Sequence, residues 1–260
     1  MKNITCCRKK NLLLSLFVIL LITSYTMPVT AQSGLSAEEI LDRIDENMVS
    51  QSVISVSKMI IHKQGRTDIK EMKTWGLGRK KGFVEFYTPA RDKGTKYLRI
   101  EDELWMYLPS VEKVVKISGH LLRQSMMGSD FSYEDMLNRL TLQDDYSAEI
   151  EGEEEYNGMQ CYKLVLTAKH KEVTYYKRTI LVEKDRFIAV KSEMYAKTGK
   201  LLKSSHVEKI EKIGDRYYPT HVVMTDELRK NSRTEFIMSE IEFDANIPES
   251  TFTRRNLEKR

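Results

Sequence analysis

Across 260 residues, 42 Lys and Arg stand against 38 Asp and Glu, a formal charge of +4, and residues 1–31 hold Lys2, Arg8, Lys9 and Lys10 without any acid. The other 229 residues therefore carry 38 charges of each sign, which removes the electrostatic basis for nucleic-acid binding. A hydrophobic content of 41% in regular alternation also excludes a disordered chain.

The first segment has a basic start, an apolar run from Leu12 to Ile22 broken only by Ser15, and small residues before Gln32 in Pro28-Val29-Thr30-Ala31. This pattern predicts a secretory signal peptide, residues 1–31, cleaved after Ala31. The apolar run falls short of the roughly 20 residues that span a bilayer. Cys6 and Cys7 precede the run, so neither is the lipid-bearing cysteine that follows such a run in a bacterial lipoprotein. The expected product is one soluble, periplasmic domain, residues 32–260. Its only cysteine, Cys161, excludes an intrachain disulfide or a cysteine zinc site and reads as a small buried residue.

Ser36 and Glu39 form a capping box, with Leu35 and Ile40 as its hydrophobic staple. Ile40, Leu41, Ile44 and Met48 recur on one face, which predicts an amphipathic helix of about 15 residues. From Val53 the period becomes two, predicting strands near Val53–His62, Asp68–Leu77, Phe83–Thr88, Thr95–Glu101, Leu104–Leu108 and Lys113–Ile117. Residues 118–142 break the period but remain rich in Leu, Met and Phe, and Ser132 with Asp135 predicts a capped helix through about Leu140. Strands resume near Tyr146–Tyr156, Met159–Thr167, Thr174–Glu183, Ile188–Tyr195, Leu201–Ile213, Tyr217–Asp226 and Thr234–Phe243. Sparse apolar positions in Lys203–Ile213 read as a solvated outer face.

The links between strands are short and polar, so hairpins join them and no helical crossovers fit. The fold class is mainly β with a helical lid: a curved antiparallel sheet of about 11–13 strands forming an incomplete barrel around an apolar cavity. The expected lid is residues 118–142 together with the N-terminal helix, and methionines in or beside the 118–142 segment, Met106, Met126, Met127 and Met136, suit a surface that accepts apolar partners of variable shape.

Catalytic signatures are missing: the mature part has no phosphate loop, zinc-protease motif or nucleophile elbow. Gly76, Gly78 and Gly82 imitate a dinucleotide fingerprint but lack a βαβ setting, and instead permit a bend or bulge. The five histidines have no metal-ligand spacing. Asp130, Glu134 and Asp135 form one compact carboxylate group, more readily explained by capping a turn and a helix than by catalysis.

Three ordered motifs carry a resemblance. They are the run from Pro89 to Arg99, then Leu104-Trp105-Met106-Tyr107-Leu108-Pro109-Ser110, then Met127-Gly128-Ser129-Asp130-Phe131-Ser132-Tyr133-Glu134-Asp135. Together they resemble the outer-membrane lipoprotein-sorting protein family, similar to LolA, across nearly all of the mature chain. Ile247-Pro248-Glu249-Ser250-Thr251-Phe252 looks like that family's closing strand.

The resemblance implies an acyl-chain cavity closed by helices, with no catalytic residues, metal or cofactor. Trp105 and Tyr107 match the two aromatics of a Trp-x-Tyr-x-Pro motif. The expected cavity and lid residues are Leu98, Ile100, Trp105, Tyr107, Leu122, Met126, Met127, Phe131 and Met136, with motif positions Gly94, Thr95, Pro109, Gly128, Ser129 and Asp130. The expected role is a periplasmic carrier of lipid or lipoprotein acyl chains toward the outer membrane, with an inner-membrane transporter and an outer-membrane acceptor as partners. The alternatives are a lipid-sensing adaptor or regulatory subunit of an inner-membrane RND-type exporter or signalling protein, and a hydrolase using the carboxylate group.

Overall fold

The capping box forms as the sequence predicts. In the computed structural model, which describes residues 34–137 and 142–259, the Glu39 amide donates to Ser36 Oγ (3.1 Å) and the Ser36 amide to Glu39 Oε2 (2.7 Å). Helix α1 runs Ala37–Met48, shorter than expected because Val49 turns to extended backbone. Its buried face, Ile40, Leu41 and Ile44, packs on Leu164, Leu166 and Ile180. The expected signal peptide lies outside the described residues.

Thirteen strands follow: β1 (Ser52–Lys63), β2 (Arg66–Leu77), β3 (Lys81–Thr88), β4 (Lys96–Ile100), β5 (Glu103–Leu108), β6 (Lys113–Ile117), β7 (Tyr146–Tyr156), β8 (Met159–Ala168), β9 (Lys177–Glu183), β10 (Ile188–Tyr195), β11 (Leu201–Ile213), β12 (Arg216–Asp226) and β13 (Ser232–Phe243). They form one sheet in the order β6-β5-β4-β3-β2-β1-β13-β12-β11-β10-β9-β8-β7, with β6 and β7 as its unpaired edges. Consecutive strands are neighbours within each half, β1–β6 and β7–β13, and the two halves join where β1 pairs antiparallel with β13, from Val53↔Phe243 to Lys63↔Ser232. Between the edges runs the 118–142 part of the expected lid, with short 3₁₀ turns at Gly119–Arg123 and Met126–Gly128, then α2 (Tyr133–Leu137) and α3 (Leu142–Asp145). The last part of the helix expected through Leu140 lies outside the described residues.

The sheet is strongly curved, and α2 demonstrates it. The Tyr133 ring packs on Tyr97 of β4 (centroids 5.8 Å apart), while Asp135, within the same helical turn, accepts a hydrogen bond from Lys203 of β11 (2.6 Å). Strands β4 and β11 are six positions apart in the sheet, about 29 Å if it were flat. Both reach one helical turn because the sheet wraps around it. Register shifts in β1/β13, β2/β3, β7/β8 and β11/β12 supply local bends. The result is an incomplete barrel, open between β6 and β7.

Three expectations need correcting. The segment Ile247–Phe252 is not a strand: Pro248 has no amide hydrogen for a ladder, and Glu249–Phe252 is a 3₁₀ turn followed by α4 (Arg254–Leu257). This tail crosses the outer face and buries Ile247, Phe252 and Leu257 against Phe83, Leu98 and Trp105. Strand β9 begins at Lys177 rather than Thr174 because Thr174 and Tyr175 leave the ladder to hold α2. Lys203 is not solvated, since its side chain is only 12% exposed beside Asp135. Cys161 is fully buried among Leu181, Ile188 and Val190, and burial pushes its thiol pKa up.

Candidate functional site

The Gly128-Ser129-Asp130-Phe131 motif builds a tight loop that fixes the lid. Met127 and Gly128 take left-handed backbone (φ 53° and 83°), which glycine adopts freely. Ser129 Oγ donates to the Met126 carbonyl (2.7 Å), and the Met126 amide donates to the Phe131 carbonyl (2.8 Å). The loop thereby drives Met126 and Phe131 into the inner face, where Phe131 meets Phe236 edge-on (6.0 Å).

Asp130 pins this loop to β13. It is 1% exposed, and its carboxylate accepts from Ser232 Oγ (2.5 Å) and Thr234 Oγ1 (2.6 Å). Its own amide donates to Thr234 Oγ1 (2.9 Å). Thr234→Val keeps the shape but removes that hydroxyl, and should destabilise the protein by about 2 kcal/mol in chemical denaturation while speeding proteolysis within residues 118–137. An unchanged denaturation midpoint would refute the pin.

The other two carboxylates also hold the lid. Glu134 accepts from Thr174 Oγ1. Asp135 closes the predicted capping box with Ser132 and accepts from Tyr175 (2.7 Å) and Lys203 (2.6 Å). Burial alone would raise the Asp135 pKa, but the Lys203 charge and these hydrogen bonds outweigh it and hold the carboxyl below its ordinary value. The sequence hides these partners: Ser232 and Thr234 lie over 100 residues from Asp130, and Lys203 is 68 from Asp135. Among the described residues, no group of His, Cys, Asp and Glu has metal-binding geometry.

Two cavities of about 180 Å³ each flank the lid. One lies on the β1–β5 side, against Met72, Val84, Tyr97, Leu104, Met126 and Met136. The other lies beside α1, against Ile44, Phe131, Leu142, Phe187, Met194 and Met224. Met48 at the end of α1 borders both. Each is smaller than the roughly 300–1,000 Å³ common for ligand pockets, but methionines line both, and their unbranched side chains repack readily.

The nine expected cavity and lid residues divide between two faces. Met126 and Phe131 are buried in the inner cluster, with Leu122, Met127 and Met136 packed against it. Leu98, Trp105 and Tyr107, with Ile100, instead lie on the outer face under the C-terminal tail. Side chains alternate along a strand, and the inward neighbours are Tyr97, Arg99, Leu104 and Met106. Gly94 and Thr95 lie in the β3–β4 connection and Pro109 in the β5–β6 turn: Gly94 has φ +80° and faces the Pro109 ring, while Thr95 is buried and its carbonyl accepts from the Phe86 amide (3.0 Å).

A family model described only as an uncharacterized protein matches residues 78–259. No curated protein matches. Among solved structures, a DUF1329 family protein from Desulfovibrio piger is 28% identical, with a TM-score of 0.80 over 85% of this chain and 97% of that one. A LolA superfamily protein from Nitrosomonas europaea is 25% identical, with a TM-score of 0.73 over 86% of this chain and 100% of that one. A putative outer membrane lipoprotein-sorting protein domain from Vibrio parahaemolyticus shares the fold at 23% identity, with a TM-score of 0.77 over 86% of this chain and 98% of that one. The motif loop, the lid across an open barrel and these matches agree, and the chain belongs to a LolA-like family.

Proposed function

We infer that the protein is a periplasmic carrier, taking acyl chains of lipids or lipoproteins between its lid and inner face and passing them toward the outer membrane. The observation that carries this reading is the seating of Met126, Phe131 and Met136 over a methionine-lined concave face with a cavity on either side. Each methylene moved from water into such a site contributes roughly 0.8 kcal/mol. A long chain therefore offsets the ordering of lid and ligand, with little demand on polar contacts. Joining the two cavities requires the lid to shift, and its ties to β11 and β13 set the resistance to that shift.

Delivery asks for no bond to be made or broken, and Asp130, Glu134 and Asp135 serve as lid anchors. Among the described residues no helix is long and apolar enough to cross a membrane, so transfer would rely on a membrane transporter and an acceptor. Native mass spectrometry of the protein extracted gently from its own periplasm should show a lipid adduct, and the delipidated protein should take up a fluorescent fatty acid. A protein that carries no lipid and takes up no probe would end this reading.

A further inference from the structure

The two cavities differ in charge. The α1-side cavity has Glu134, Asp135 and Asp145 in its lining beside Arg178. The β1–β5 cavity is lined by Arg79, Lys81 and Arg99 and, among the described residues, by no carboxylate. Lys81 is held by the exposed Glu249 (2.6 Å). Arg99 differs: its Nε donates to the Glu101 carbonyl (3.0 Å), and among the described residues its guanidinium has no carboxylate at ion-pair distance, the Asp102 and Glu101 charges acting on it from farther off. Burial works against that charge and pushes the Arg99 pKa down.

The strand register leaves a bay beside this cation. Gly76, Gly82, Arg99 and Leu104 stand opposite one another across β2, β3, β4 and β5. Gly82 places no side chain on the inner face next to Arg99, and a Cβ there would come no closer than 3.8 Å to the Arg99 Cβ, whereas the Val53 Cγ1 stands 3.0 Å from where a Gly76 Cβ would be. Two residues along β4, Tyr97 is 4% exposed, and among the described residues its hydroxyl, with Tyr133 beside it, meets no partner at full hydrogen-bond geometry. A buried, unpaired phenol costs free energy unless something satisfies it. The cavity thus joins an apolar floor to a cation and a spare hydroxyl on the same strand face.

We propose that the β1–β5 cavity binds a single acyl chain bearing an anionic head, with Arg99 and the Tyr97 hydroxyl receiving the head in the bay left by Gly82. This rests on the carrier reading and specifies its ligand. The head is an oxyanion, either the carboxylate of a fatty acid or the phosphate of a lysophospholipid.

The test compares cis-parinaric acid with its methyl ester by fluorescence titration of the mature protein. The acid should bind at least tenfold more tightly than the ester. Arg99→Gln should abolish that preference, Arg99→Lys should restore part of it, and Gly82→Val, which fills the bay but keeps the charge, should weaken the acid severalfold. Displacement of the probe by palmitate or by lysophosphatidylglycerol identifies which head is preferred, and lysophosphatidylcholine should compete less well than either. Equal affinity for acid and ester in the unmodified protein overturns the head-group assignment and leaves the carrier reading standing, as does a preference untouched by Arg99→Gln. If neither probe binds, the carrier reading falls and takes the assignment with it.

Discussion

Trp105→Ala will destabilise the protein by about 3–5 kcal/mol, yet leave the affinity of the folded molecules for acyl probes unchanged. The indole is 9% exposed and fills the outer cluster with Phe83, Leu98, Phe252 and Leu257. Arg254 of α4 lies over its ring at 5.9 Å. Removing it opens a hole beneath the C-terminal tail, with the sheet between that hole and the lid. For a domain of this size, each kcal/mol lowers the melting temperature by roughly 2–4 °C, so a drop of about 6–20 °C is expected in a thermal melt. Met126→Asp should do the opposite in a probe titration, abolishing binding from within the lid. A Trp105→Ala protein that is fully folded at the assay temperature but binds no probe would show that the aromatic motif belongs to the ligand site after all.

The second large effect is expected at Lys203. Replacing it with methionine leaves the Asp135 carboxylate, 8% exposed, buried without its cation, which costs about 3–5 kcal/mol. The double change Asp135→Leu with Lys203→Met should recover most of that loss, because an apolar pair of similar volume replaces a buried ion pair at little cost. About 1 kcal/mol should stay lost with the capping box. The sign of the pH dependence follows from the depressed Asp135 pKa. Above the ordinary value of 3.8 the carboxyl is charged whether the protein is folded or unfolded, and the contribution is full. As pH falls below 3.8 the unfolded chain takes up its proton first, and the contribution is gone once the pH has passed below the folded value. Without Lys203, burial dominates and the folded pKa rises, so the deficit of the variant is largest near neutrality and shrinks in acid. Urea midpoints at about pH 7 and about pH 3 measure this directly, and a deficit that grows in acid would contradict the assignment.

Much of this molecule is legible in its sequence. Alternation marked all thirteen strands, and its loss after Ile117 marked the place where the barrel fails to close. The capping boxes at Ser36 and Ser132 were readable because each is a local exchange of two hydrogen bonds. Facing was not readable. In β4 and β5 both faces carry large apolar groups, so a period of two separates Tyr97 from Leu98 without saying which points inward. That choice is made by the C-terminal tail, about 140 residues away, which covers one face. The lid partners were hidden for the same reason. Ser232, Thr234 and Lys203 look like ordinary polar positions on exposed strands until curvature brings them under Asp130 and Asp135.

The pairing of β1 with β13 also bears on how the chain reaches its fold. Every other ladder in the sheet joins strands that follow one another in sequence, whereas this one joins residues as far apart as Val53 and Phe243. Each half-sheet can zip from local hairpins, but the joint must await the last long strand, and such distant pairings slow folding. A chain that emerges from its N-terminus therefore presents β1 with an open edge until nearly all of it has emerged. That edge invites pairing with other chains, so the newly made molecule is most vulnerable to aggregation, and has most need of a chaperone, before β13 arrives.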